Sequence, residues 1–187
     1  MLTLKPLSMA GLAAALEKAE RYRLLNEPRE AESICLDVLE VDPEHQRALV
    51  ILLLAITDQF GRRSSDEVGH ARALLPRLRD EYERTYYAGI IYERKAKAIL
   101  AQGTPRSAAQ AYDWIRAALD LFAQAEAIRP PGNDDVLLRW NTCVRLIMRH
   151  QLAPREEESG GPVRGVMLRL LERRSARALA ALVGYRD

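Results

Sequence analysis

The sequence predicts an all-α fold, and three observations carry that expectation. Apolar and small residues step by three and four through nearly all of the chain, as at Leu12, Leu16 and Ala19, which places them on one face of a helix. Strand-like alternation of apolar and polar residues is absent. Helix punctuation then recurs along the chain: Asn26-Glu27-Pro28, Asp42-Pro43-Glu44, Thr104-Pro105-Arg106 after Gly103, and Pro130-Pro131-Gly132-Asn133 each end one helix and open the next.

Taken in order, these signals predict helices over 8–25, 28–41, 44–60, 66–80, 81–102, 105–128, 133–151 and 163–183. Asn26 reads as the N-cap of the second helix, with Pro28 in its first turn. Ser64 followed by Glu67 has the spacing of a capping box and opens the fourth helix. The boundary at 80/81 is open, because RLRDEYERTYY holds neither Gly nor Pro, and one kinked helix is the alternative. The segment APREEESGGP, 153–162, is polar, carries Gly-Gly and reads as a linker. The domain expectation is therefore a helical domain over 1–152, that linker, and an amphipathic C-terminal helix over 163–187.

Composition bounds the function. The chain has 187 residues, 48% of them hydrophobic and 29% charged, enough for one well-formed core. The 28 basic and 26 acidic residues leave a formal charge of +2, so net charge alone does not direct the protein to a polyanion. Of the basic residues 24 are Arg and 4 are Lys, spread along the whole chain, which reads as coding bias rather than as a binding patch. Cys35 and Cys143 belong to no CxxC or Cys/His cluster, and no apolar run has the length of a membrane span. The opening LKPLSMAGLAAAL runs straight on into Glu17, Lys18, Glu20 and Arg21, so it reads as an amphipathic first helix of a cytoplasmic protein rather than as a targeting segment.

A repeat is visible. Ala31, Cys35, Val38 and Pro43 are spaced in the same way as Ala118, Phe122, Ala125 and Pro130. Upstream of each ladder a small residue leads by three to a tyrosine: Ala19 to Tyr22, and Gly89 to Tyr92. Small side chains let two helices approach closely, an aromatic fills the space beside them, and proline forces the turn. These segments resemble the tetratricopeptide repeat. The resemblance covers about residues 8–150, with repeats near 12–45, 46–80 and 82–130 and a last helix from 133. The second repeat departs from the pattern by lacking the closing proline and carrying extra residues around GRRSSD. Both helices of the third are lengthened, and Cys35 stands where an aromatic is usual.

The resemblance implies a right-handed α-solenoid of antiparallel helix pairs, with the first helix of each pair lining a concave groove. Carried over by spacing, it places Glu20, Arg23, Arg47, Asp58, Glu83, Tyr86, Glu93, Arg94, Asn141 and Arg145 on or near that groove. It implies an adaptor, scaffold or co-chaperone-like module that holds a protein or peptide segment of mixed charge. A tail-carboxylate clamp of the kind found in part of the family is not expected, because Leu16 and Glu20 stand at clamp positions and donate nothing to a carboxylate. Replacing Arg94 and Arg145 by Glu is then expected to abolish binding while leaving helicity intact.

No catalytic constellation accompanies the repeats, and no enzyme activity, cofactor or metal site is expected. His45, His70 and His150 are scattered over separate helices without metal-ligand spacing, and His45 is expected in solvent. HExxH, GxSxG and glycine-rich phosphate loops are missing. Trp140 is expected on a buried stripe with Val136, Cys143, Val144 and Ile147. The stretch from Val163 reads as a capping helix; a membrane-surface helix and a tail lying in the groove are the alternatives. RNA binding through clusters such as Arg62-Arg63 and Arg169/Arg173/Arg174/Arg177 is a rival expectation. Acidic neighbours and the lack of interleaved stacking aromatics argue against it. Homo-oligomerisation through the terminal repeat is a further one.

Overall fold

Helix boundaries follow from where the backbone can and cannot donate. A computed structural model of the chain describes residues 2–62, 66–104 and 106–154, all within the unit Met1–Arg155. Its described elements are α1 (Leu12–Leu24), α2 (Pro28–Val41), α3 (Gln46–Thr57), α4 (Glu67–Arg72), α5 (Glu81–Ala101), α6 (Ser107–Ala127) and α7 (Asp135–His150). Short 3-10 turns lie at Met9–Gly11 and Leu75–Arg77. No strand occurs among the described residues. The helix expected at 163–183 and the linker beyond Pro154 lie outside them.

Several local expectations are corrected. Asn26 is not an N-cap: at φ 61° it takes the left-handed position just past α1. The N–H of Glu27 donates to Tyr22 O at 2.9 Å and that of Asn26 to Arg23 O at 3.0 Å, the pattern of a helix C-terminus. Gly103, at φ 64°, does the same after α5. His45 is the N-cap of α3, its Nδ1 accepting from the Ala48 N–H at 3.4 Å, so it is tied into the fold rather than free in solvent. Asp66 caps α4 by accepting from the Gly69 N–H at 2.9 Å. Ser64 is outside the described residues, and Glu67 is buried with its Oε2 accepting from the Gly61 N–H at 3.1 Å.

The largest correction is at 66–80, which is not one helix. Pro76 lacks an N–H and its ring crowds the carbonyl four residues back, which is that of Arg72, where α4 stops. Leu78 is extended, and Asp80 caps α5 by accepting from the Glu83 N–H at 2.8 Å, so the fourth and fifth helices are separate.

Loops of two to five residues between long helices make antiparallel hairpins. Residues 25–27 join α1 to α2, and 102–106 join α5 to α6. Successive helices pack on one another; α1 also meets α3, and α3 meets α5. Two apolar clusters result. One is built on α1–α3 with Ala71, Leu74 and Leu78 from the short fourth helix and its turn, and the other on α5–α7. Leu54, Tyr87 and Tyr92 pack against both and join them.

The first three residues of both ladders are interior, Ala31, Cys35 and Val38 in the first and Ala118, Phe122 and Ala125 in the second, each 0% exposed, while the closing Pro43 and Pro130 are exposed. Gly89 shows why a small residue is required. A Cβ there would lie 2.4 Å from Phe122 Cε1, so α5 and α6 approach to a distance only glycine permits. On α7 only Val136 and Cys143 of the expected stripe are buried; Trp140, Val144 and Ile147 are half-buried.

Candidate functional site

The first helices of the successive hairpins, α1, α3 and the start of α5, surround an open cleft of about 530 Å³. Its lining is Glu20, Arg23 and Leu24 from α1, Gln46, Arg47, Val50, Ile51 and Leu54 from α3, and Glu83 and Tyr87 from α5. The volume lies within the ~300–1,000 Å³ range of ligand pockets. Leu24, 88% exposed, stands in this lining.

One carboxylate fixes the three helices to one another. Asp58, at the C-terminus of α3, accepts from Arg23 Nε at 2.8 Å and also pairs with Arg94. Arg94 Nη1 donates further to Thr57 Oγ1 at 2.8 Å and to Leu54 O at 3.1 Å, placing a cation on the last carbonyls of α3 where the helix dipole favours it. Burial lowers the Arg94 pKa from its ordinary value, while Asp58 works in the opposite sense. Nearer the surface, Arg47 donates to both Glu20 oxygens, Nε to Oε1 at 3.1 Å and Nη2 to Oε2 at 2.8 Å. Those hydrogen bonds hold the Glu20 carboxyl below its usual range.

Glu83 is different. Its carboxyl is pushed up by desolvation and by nearby Asp80, and no cation pairs with it among the described residues. Burial, with Glu83 one turn away, pushes the Tyr87 hydroxyl up to about 12.

Of the ten expected groove residues, the structure brings Glu20, Arg23, Arg47 and Glu83 into the cleft lining and puts Asp58 and Arg94 behind it as ties. Arg94 is therefore not a free partner-binding cation. A glutamate there would face Asp58 and strip the α3 C-terminus of its donor, so loss of binding in the Arg94/Arg145 double variant would not report on a groove. Tyr86 sits among aromatics, stacked on Tyr82 at 5.6 Å and edge-on to Tyr87 at 5.2 Å. Glu93 is 0% exposed, pairs with Lys97 and lies 3.6 Å from Arg139 of α7. It is an interior charge, not a groove residue. Asn141 and Arg145 are exposed on α7 and are not part of the cleft lining.

Sequence reasoning missed Gln46, Tyr87 and Arg139. Gln46 bridges α3 to the turn after α4, accepting from the Arg79 N–H at 2.8 Å and donating to Arg77 O at 3.3 Å. Burial disfavours the Arg139 charge, but the Tyr86 hydroxyl and Glu93 outweigh it, so its pKa is raised. Tyr87 was discoverable: it lies one turn after Glu83 and five residues after Tyr82 in an aromatic-rich run.

No group of three or more His, Cys, Asp or Glu able to hold a metal lies among the described residues, and no helix among them is long and apolar enough to cross a membrane. Comparison with protein-family models, with curated proteins and with solved structures returns no match to the chain.

Proposed function

We propose that this chain is a protein-interaction module, a right-handed solenoid of tetratricopeptide-like helix pairs that holds a protein segment of mixed charge in the cleft between α1, α3 and α5. The observation that carries the reading is the lining itself. It has an apolar part made by Leu24, Val50, Ile51, Leu54 and Tyr87, and it presents both signs of charge through Glu20, Arg23, Arg47 and Glu83. Such a surface gives an extended or helical segment apolar burial together with charge-assisted hydrogen bonds. The ties through Asp58 hold the walls in place before anything binds, which lowers the ordering cost of association. The role is that of an adaptor or scaffold in the cytoplasm.

The test is affinity capture from native lysate with the full chain and with Leu24→Asp, each with and without nuclease. Leu24 is exposed, so the substitution leaves the core untouched. A protein that survives nuclease and is lost with Leu24→Asp supports the reading. Captured protein indifferent to the substitution, or material recovered only without nuclease, contradicts it and favours binding elsewhere on the chain or binding of RNA.

A further inference from the structure

Four charged side chains line the cleft, and three of them are already answered. Glu20 and Arg47 are hydrogen-bonded to each other, and Arg23 holds Asp58. Glu83 alone has no opposite charge within ion-pair distance among the described residues. It stands on the first turn of α5, where the Asp80 cap holds its own N–H. Its neighbour one turn on is half-buried Tyr87, and no cation contributes to its titration. The N-terminus of α5 favours its charge, but among the described residues the carboxylate pairs with no cation and ties no helix to another. A half-buried carboxylate beside a second acid is a cost to the free protein, and a cation entering the cleft would relieve it.

Resting on the cleft reading above, we propose that Glu83 is the specificity-determining residue of the cleft, receiving a lysine or arginine side chain of the bound segment. The aliphatic stem of that side chain would lie along Tyr87 and Leu54, and the next apolar residue of the segment against Leu24 and Val50. The partner is thus a protein segment with a basic residue beside an aliphatic one. A purely acidic tail is excluded, since it would bring a third negative charge to Glu83 and Asp80.

The experiment is selection of displayed random short peptides on the full chain, followed by affinity measurement on wild type, Leu24→Asp, Glu83→Gln and Glu83→Lys, with each variant's melting checked by circular dichroism. The expected peptides share a Lys or Arg next to an aliphatic residue and lose binding to Leu24→Asp. They weaken about tenfold on Glu83→Gln, the loss of one charge-assisted hydrogen bond. Selection on Glu83→Lys should switch the shared position to Asp or Glu; if that variant does not fold, the Gln variant, which is close to isosteric, decides the matter. Peptides that need Leu24 but share no basic residue, or bind Glu83→Gln as well as wild type, overturn the role of Glu83 and leave the cleft standing. An absence of binders, or binders indifferent to Leu24→Asp, overturns both.

Discussion

The hairpin α5–α6 and the α3–α4 pair before it are each two consecutive helices of the chain, yet one has two helices of 21 residues and the other falls from 12 residues to six. The difference lies in a few side chains. In the long hairpin Gly89 faces the Phe122 ring, Ala118 and Ala125 flank it, and the turn carries a left-handed Gly103. In the short one Pro76 stands four residues past the end of the second helix, and the Cβ position of Gly69 faces the Asp66 carboxylate rather than a ring. Leu74 and Leu78 still reach the core, but from a turn and an extended segment. A segment can therefore keep its buried positions while losing its helix, provided its neighbours supply the packing surface.

The largest expected effect is at the contact that defines the long hairpin. Gly89→Ala pushes a methyl into Phe122 and should cost about 1–3 kcal/mol, read as a lowered urea midpoint. A glycine substitution in the α3–α4 pair, Gly69→Ala on its second helix, meets first the Asp66 carboxylate, the end of a side chain that can turn away. Losing that cap costs about 1 kcal/mol and the alanine returns about the same in helix propensity, so its midpoint should hardly move. Equal losses at the two glycines would remove the distinction between the hairpins.

Next in size is Asp58→Asn, which leaves two guanidiniums on a neutral amide and should cost about 1–2 kcal/mol, discounted because the pair is partly open to water. Addition of salt should narrow the gap to wild type if the effect is electrostatic. At Asn26, held at φ 61°, Val should cost about 1 kcal/mol and Gly almost nothing. A loss with Gly as large as with Val would mean the side chain, not the backbone, matters there.

Each cluster also carries a buried thiol, and burial raises both Cys35 and Cys143 to about 12. These groups, like Tyr87, are acids whose folded pKa lies above the ordinary value. Their contribution to stability is whole below the unfolded pKa and is lost as pH rises through the folded one. The urea midpoint should stay level up to about pH 9 and fall between 9 and 12. Cys35→Ala with Cys143→Ala should flatten that fall relative to the midpoint just below pH 9, and an unchanged slope would show that the thiols are not its source.

The helical class, the turns at Pro28 and Gly103 and both buried ladders were legible in the sequence, because each rests on local backbone chemistry or on periodicity. The end of α4 is legible as well, at Pro76, although Ala71, Leu75 and Leu78 continue a helical step across it. What spacing could not show is which charged residue on a first helix meets a partner inside the fold. Arg94 and Arg145 look alike in sequence, but one binds the α3 C-terminus and the other is exposed on α7. Glu93 and Glu83 differ in the same way: the first is sealed against Lys97 and Arg139, the second opens into the cleft. Such assignments depend on the angles between hairpins, which long-range packing sets.

The account stands or falls on whether a protein segment occupies the cleft between α1, α3 and α5. The most direct measurement is site-specific photo-crosslinking in cells, with the photoreactive residue at position 24 in the cleft lining or at position 36, an exposed leucine of α2 that is not part of it. The account predicts a discrete protein adduct from position 24 and none from position 36, with the cross-linked peptide traced to a basic-aliphatic segment. Adducts from position 36 alone, or only nucleic acid joined to position 24, would contradict it.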